Sequence, residues 1–262
     1  MFLSVSLIKF VIVKYVKYQP NVLLGKYIDF YWTLEADSNY KTFNVPLFAD
    51  ACTDIFINVG DTAANFNGGS PISSGRIYMG GLSTSYKFVR CFPNSIFIGV
   101  RFKPGGLPLF FNTPLFETVD QIIEFQDNYL FSIMGLDALL PVRLDQYFLS
   151  KKREPTPVIP ITEAVHYYKG QISVDQLAQK CNVSNRTMER LFYINMGISP
   201  KEFISIVRFQ RVLKALQNGY SKGQLLQIAF EMGYYDQAHF IRDVKKHSGL
   251  TPSTIGPGPS FP

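Results

Sequence analysis

Residues 177–193 read LAQKCNVSNRTMERLFY, and residues 228–245 read IAFEMGYYDQAHFIRDVK. Both follow one plan. A small residue, Ala178 or Ala229, is followed four positions later by Asn182 or Gly233, residue types that readily adopt the left-handed backbone ending a helix. Val183 or Tyr234 then turns back toward the crossing, and Ser184 or Asp236 supplies a side-chain oxygen to cap the next helix. The alanine lets that second helix cross closely. Two helices joined in this way form a helix-turn-helix, whose second member can lie in a DNA major groove. The plan predicts second helices over Asn185–Tyr193 and Gln237–Lys245, with the alanines 51 residues apart. A single Ala–Gly spacing arises easily by chance, so the repetition carries the weight.

Working outward, the flanks carry helix starts. Ser173-Val174-Asp175-Gln176, Ser199-Pro200-Lys201-Glu202 and Ser221-Lys222-Gly223-Gln224 read as capping boxes. Thr251-Pro252 reads as a fourth start, soon ended by the GPGPSFP tail. Pro200–Leu216 offers one continuous helix of about 25 Å, a rod able to hold two readers on successive major-groove segments ~34 Å apart. Met188, Leu191, Phe192, Phe230, Phe240 and Val244 fall at helical spacing and are expected in the core. The charge agrees: residues 151–262 carry a formal +7 and residues 1–150 a formal −1, which places the affinity for a polyanion in the second part.

The two parts meet at KKREPTPVIP, residues 151–160, where three prolines favour extended backbone. We expect a sensor or dimerisation domain over 1–150, a linker over 151–160 and a DNA-binding domain over 161–262. Lys151, Lys152 and Arg153 read as keeping the linker solvated. Before the linker the pattern is short apolar blocks. Tyr27–Leu34, Asp54–Val59, Arg76–Met79, Tyr86–Cys91 and Ser95–Phe102 are predicted strands. Gly60–Gly81, with six glycines, suits turns and loops. Leu107–Phe111, Val119–Phe125 and Met134–Phe148 are predicted helical. The whole is an α+β two-domain protein: a β-rich domain, for which a cupin-like barrel is one form, followed by an all-α double helix-turn-helix.

Chemistry is sparse. GxSxG, HExxH and P-loop patterns are absent, and the three histidines, His166, His239 and His247, have no clustered Cys or Asp partner in sequence. The expectation is no enzyme, no metal and no cofactor. Asp50 and Asp54 read as turn or edge residues. Cys52, Cys91 and Cys181 are too widely spaced for a disulfide framework or a zinc site and suit a reducing compartment. Phe2–Val13 is apolar but too short to span a bilayer and lacks a signal-peptide pattern. A strand or an extra leader, in a cytoplasmic protein with no membrane partner, is the expectation. Phe30 and Trp32 should share one strand face and Tyr31 the other, with Trp32 a candidate for lining an effector cavity.

IAFEMGYYDQAHFIRDVKKHSGLTPS, Ile228 to Ser253, resembles the C-terminal signature of the AraC-type (AraC/XylS) transcription regulators. So does the run from Ser173 through Arg208 and Arg211, including Gly197-Ile198-Ser199-Pro200. The N-terminal part is similar to the β-rich sensor-like domain of one bacterial branch, in Tyr27-Ile28, Tyr31-Trp32, Pro46, Asp54-Ile55-Phe56 and Ile98 through Gly106. The resemblance implies a sequence-specific regulator, an activator among the options. It places DNA-contacting positions at Asn185, Arg186, Glu189 and Arg190, then at Asp236, Gln237, His239 and Arg242, with Ala238 able to meet a thymine methyl. His239 has bracing the helix as its other role. Asn182 departs from the commoner glycine, and Glu189 is acidic among basic contacts. The implied partner is double-stranded DNA, with RNA polymerase, a small-molecule effector and a second copy of the chain as further candidates. A protein-interaction regulator whose helical domain has lost DNA binding is the alternative, and an enzyme acting through the N-terminal domain a third.

Overall fold

The computed structural model describes residues 13–36, 42–219 and 224–255. The apolar stretch before Val13, the Ser221 capping box and the GPGPSFP tail lie outside the described residues. Ten strands come first: β1 (Val13–Tyr18), β2 (Ile28–Ala36), β3 (Phe43–Leu47), β4 (Thr53–Asn58), β5 (Ala64–Phe66), β6 (Ser70–Ile72), β7 (Arg76–Gly80), β8 (Lys87–Cys91), β9 (Ile96–Phe102) and β10 (Ile122–Glu124). They form two antiparallel sheets among the described residues, in the orders β1-β2-β9-β4-β7-β10 and β3-β8-β5-β6.

The larger sheet is covered on both faces, which is why β4 and β9 read as apolar runs and not as strict alternation. Phe30, Trp32, Leu34, Phe56 and Phe97 face the smaller sheet. Tyr31, Ile55, Ile57, Ile98 and Val100 face the other way, against α1 (Asn128–Ile133) and α2 (Leu140–Lys151). The expected split of Phe30 and Trp32 from Tyr31 is thus the division between two cores. Gly99, opposite both Trp32 and Phe56, makes room for the indole: a Cβ there would lie 2.3 Å from its ring carbons.

Three helical expectations need correction. Val119–Phe125 is not helical; Ile122–Glu124 pairs with β7 and extends the larger sheet. Only Leu107–Leu109 of Leu107–Phe111 makes a turn of 3-10 helix. In Met134–Phe148, helix begins at Leu140, after Gly135 and the capping turn at Asp137, whose carboxylate accepts from the Leu139 N–H at 2.8 Å. Asp50 lies in the turn between β3 and β4, where its carboxylate accepts from the Cys52 N–H at 3.0 Å, but Asp54 lies on β4, a central strand. Both are buried, and the guanidinium of Arg101, itself 1% exposed, donates to both carboxylates. Burial pushes the Asp54 carboxyl up to about 8, and the Trp32 indole N–H, donated at 3.1 Å, opposes that rise.

The proline-rich stretch is shorter than its sequence span. Lys152–Thr156 is irregular, and α3 (Val158–Tyr167) already contains Pro160 in its first turn, where the missing N–H costs nothing. Then come α4 (Val174–Lys180), α5 (Asn185–Met196), α6 (Pro200–Gln217), α7 (Leu225–Glu231) and α8 (Gln237–Ser248). Thr251-Pro252 starts only a three-residue 3-10 turn. Ser173 and Gln176 complete a capping box, whereas Ser199 makes half of one. The Glu202 carboxylate turns instead to Lys246, at 2.7 Å.

The halves are packed together. Phe48, Ala49 and Leu82 from the sheet domain join the apolar cluster built from α3 to α8. The Ala49 N–H donates to the His247 carbonyl at 3.2 Å. Tyr193 of α5 stacks on Phe116, ring centroids 5.1 Å apart.

Candidate nucleic-acid interface

Both turns close with the same backbone bond. Val183 N–H donates to Ala178 C=O, and Tyr234 N–H to Ala229 C=O, each at 3.0 Å. Asn182 at φ 52° and Gly233 at φ 82° both take the left-handed conformation that this bond requires. Ala178 and Ala229 are buried under the crossings. The second helices then start on real caps, Ser184 accepting from Thr187 N–H and Asp236 from His239 N–H at 2.7 Å. Each helix runs three residues beyond its expected end, to Met196 and Ser248, and stops at a left-handed glycine, Gly197 or Gly249.

Met188, Phe192, Phe240 and Val244 point inward as expected, but Phe230 does not, being 57% exposed. On the outer faces, Arg186, Glu189 and Arg190 of α5 and Gln237 and Arg242 of α8 are exposed. None of these five has a hydrogen-bond or ion-pair partner among the described residues. The other three expected positions are engaged internally. Asn185 donates to Asp175 at 2.6 Å, Asp236 is occupied as a cap, and half-buried His239 sets its ring edgewise to Tyr234 at 5.2 Å. Exposed guanidiniums without internal partners are suited to phosphate or to the O6 and N7 edge of guanine.

Two family models match the chain: a domain of unknown function (DUF6597) over residues 16–124, and a helix-turn-helix domain over residues 177–256. Residues 177–256 thus match a helix-turn-helix domain, in keeping with the AraC-type resemblance of the sequence. Among relatives, an uncharacterized HTH-type transcriptional regulator of Haemophilus influenzae is 32% identical over 107 residues, 41% of this chain and 34% of that one. The Msm operon regulatory protein of Streptococcus mutans is 26% identical over 154 residues, 54% of this chain and 55% of that one. The chain therefore spans between a third and about half the length of these relatives. ToxT from Vibrio cholerae is a similar solved structure, at 12% identity, covering 85% of this chain and 94% of that chain with a TM-score of 0.47.

The helical domain also holds groups that sequence reading missed. Asp243 of α8 accepts from Ser205 Oγ and from Tyr234 Oη, both at 2.8 Å, and lies 3.4 Å from His247 Nε2. Burial pushes its carboxyl up, but hydrogen bonds from His247, Ser205 and Tyr234 outweigh this and hold it at about 2. His247 is fully buried, and its Nδ1 lies 2.6 Å from the Thr84 carbonyl. A carbonyl only accepts, so Nδ1 is the donor in that contact. Arg208 and Arg211, part of the family resemblance, turn inward. Arg208 donates to Gly170 C=O and lies over the Tyr234 ring, and Arg211 donates to Lys169 C=O. Gln171 ties the two motifs by donating to Glu231 C=O at 2.6 Å. These contacts join residues up to 163 apart in sequence, and no local pattern announces them. Trp32 is 4% exposed and borders an apolar space of about 30 Å³. Among the described residues, no three His, Cys, Asp or Glu side chains gather as a metal site, and no helix is long and apolar enough to cross a membrane.

Proposed function

We propose that the protein is a sequence-specific DNA-binding transcription regulator whose α5 and α8 enter successive major-groove segments of one duplex. The observation that carries this reading is the pair of like-built motifs, each presenting exposed side chains with no partner among the described residues: Arg186 and Arg190 on α5, Gln237 and Arg242 on α8. Their separation fits as well, since the 18-residue α6 is a rod of about 27 Å. In this reading Arg190 donates two bonds to guanine, Gln237 pairs with adenine, and Arg186 and Arg242 meet either base or phosphate. Asn185, Asp236 and His239 hold the helix starts and contact DNA only at the margin. Exposed Leu139, Val142 and Leu149 on one side of α2 support pairing of two copies. The family model and the regulators among the relatives support the same function.

The test begins with unbiased selection of bound duplexes from a random pool by the full chain, followed by titrations on single-base variants at three salt concentrations. Arg190→Ala and Gln237→Ala should each lose about 1–3 kcal/mol for the selected site and relax preference at their own base pair. Loss of a phosphate contact should instead weaken all sequences alike and reduce the salt slope by ~1. Unchanged specificity in both variants, with folding verified, defeats the base-reading assignment. Absence of any salt-dependent duplex binding favours a protein-interaction role for the helical domain.

A further inference from the structure

The His247 ring, buried in the last turn of α8, sits between the two domains. On one side its Nδ1 donates to the Thr84 carbonyl at 2.6 Å. The sheet domain fixes that carbonyl. Thr84 N–H and Oγ both donate to the Asp120 carboxylate, at 2.9 and 2.6 Å, and Lys87 lies 3.9 Å from the same carboxylate. On the other side Nε2 lies 2.9 Å from Ser205 Oγ of α6 and 3.4 Å from the Asp243 carboxylate. The other charged and titratable groups around the ring are engaged elsewhere. Tyr234 donates to Asp243, Arg208 lies over the Tyr234 ring, and His239 sets its edge to that ring. Lys246 pairs with Glu202, and Tyr86 packs on Gly249.

Counting hydrogens shows in which state these contacts are complete. The Ser205 hydroxyl has one hydrogen, and it lies 2.8 Å from Asp243 Oδ1 and 2.9 Å from Nε2. Asp243 is ionised above about 2 and then only accepts. With Nδ1 donating to Thr84, a neutral ring has no hydrogen on Nε2, so one of the two Ser205 contacts sets acceptor against acceptor. A ring carrying both protons removes the conflict: Nε2 donates to Ser205, Ser205 to Asp243, and Nδ1 to Thr84. The charge then faces a carboxylate 3.4 Å from Nε2 and the Phe209 ring, centroids 5.2 Å apart. Every contact in the set has one donor and one acceptor.

We infer that His247 is a proton-operated latch between the sheet domain and α8, closed while both ring nitrogens carry a proton and loosened when Nε2 gives its proton up. His247 is a positioning residue: it reaches DNA only through α8, so its bearing on DNA binding rests on the regulator reading above. The latch itself is measured without DNA, on the full isotope-labelled chain through a pH series. Ring nitrogen shifts report the protonation of each histidine, and single His166→Gln and His239→Gln variants identify the His247 signals by removing their own. At each pH, amide hydrogen exchange is followed over Leu82–Lys87 and Gln237–Gly249, as protection relative to the unstructured chain at that pH. Protection of both segments should fall together through the range in which Nε2 loses its proton, while α4 keeps its own. The fall should be about tenfold or more, the scale of one hydrogen bond to a charged group. His247→Gln, which can donate to Thr84 but holds no ionisable proton, should be less protected and show no such step. If that variant does not fold, the native titration decides alone. Constant protection while Nε2 loses its proton, or full protection of both segments with Nε2 unprotonated, overturns the latch. So does a step that persists in His247→Gln. Failure of the DNA reading appears separately, in the duplex selection.

Discussion

Asp243→Asn is the sharpest probe of how α8 is held. Asp243 sits at the meeting of α6, α8 and the turn before α8, taking hydrogen bonds from Ser205 and Tyr234 and lying beside His247. Its carboxyl is lowered from the ordinary 3.8 to about 2, a preference for the ionised form worth about 2 kcal/mol of folding stability at neutral pH. The sign follows from the direction. A depressed carboxyl stabilises above its unfolded value of 3.8 and loses that contribution as pH falls through about 2. Asparagine keeps the shape and an acceptor but not the charge. Urea unfolding of the full chain, followed by helical circular dichroism, should therefore place Asp243→Asn about 2 kcal/mol below the native chain at pH 7. At about pH 3 the gap should shrink to about half, because the unfolded chain is then largely protonated and the folded one is not. Ser205→Ala and Tyr234→Phe each remove one donor, cost about 1 kcal/mol, and should be less than additive with Asp243→Asn. An equal midpoint at pH 7, or a gap that stays constant on acidification, would refute the hub.

Gly99→Ala forces a Cβ to within 2.3 Å of the Trp32 ring and should cost about 1–3 kcal/mol. Trp32 is the only tryptophan, so its emission reports the displacement directly, and an unchanged spectrum and midpoint would contradict the packing. Asn182→Val places a β-branched residue at φ 52° and should cost about 1–2 kcal/mol, with Asn182→Gly near neutral; equal stabilities would deny the left-handed turn its role. Limited proteolysis should cut first within residues 152–157, where most residues are exposed and backbone bonding is thin. A dominant first cut inside α4–α8 would argue against the domain division.

The helical domain was legible because its determinants are local. Ala178, Asn182 and Ser184 act within seven residues of one another, as do Ala229, Gly233 and Asp236, and each does its work through a turn or a cap that sequence spacing encodes. Exposure of Arg186, Arg190 and Gln237 follows from helical periodicity once the buried face is known. The sheet domain was legible only strand by strand. Val119–Phe125 has an apolar pattern that suits a helix, and an open edge of β7 made it a strand instead. The turn at Asp50 was legible, but the burial of Asp50 and Asp54 was not, because their partner, Arg101, lies 47 or more positions away. The space that the Trp32 ring fills is made by Gly99, from another strand, which no local pattern announces.

α5 and α8, the two helices proposed to read DNA, are anchored at the same end by the same domain, and this bears on how their spacing is fixed. Gly197 ends α5 at φ 75° against the backbone of Leu115, where an added Cβ would lie 2.7 Å away. Gly249 ends α8 at φ 73° against Tyr86, where a Cβ would lie 3.0 Å from the ring. In each case a residue needed to stop the helix also permits close approach by the sheet domain. The opposite, N-terminal ends carry Arg186 and Gln237 and face solvent. A rod such as α6 alone fixes the distance between two helices but leaves their tilt to the weaker helix–helix contacts. Holding both C-terminal ends against one domain, at the Leu115 turn and at Tyr86 before β8, constrains the tilt as well. A displacement of the sheet domain that carries both contacts would then move α5 and α8 together, so that, if both helices read DNA as proposed, it would act on the geometry of the pair and not on either helix alone.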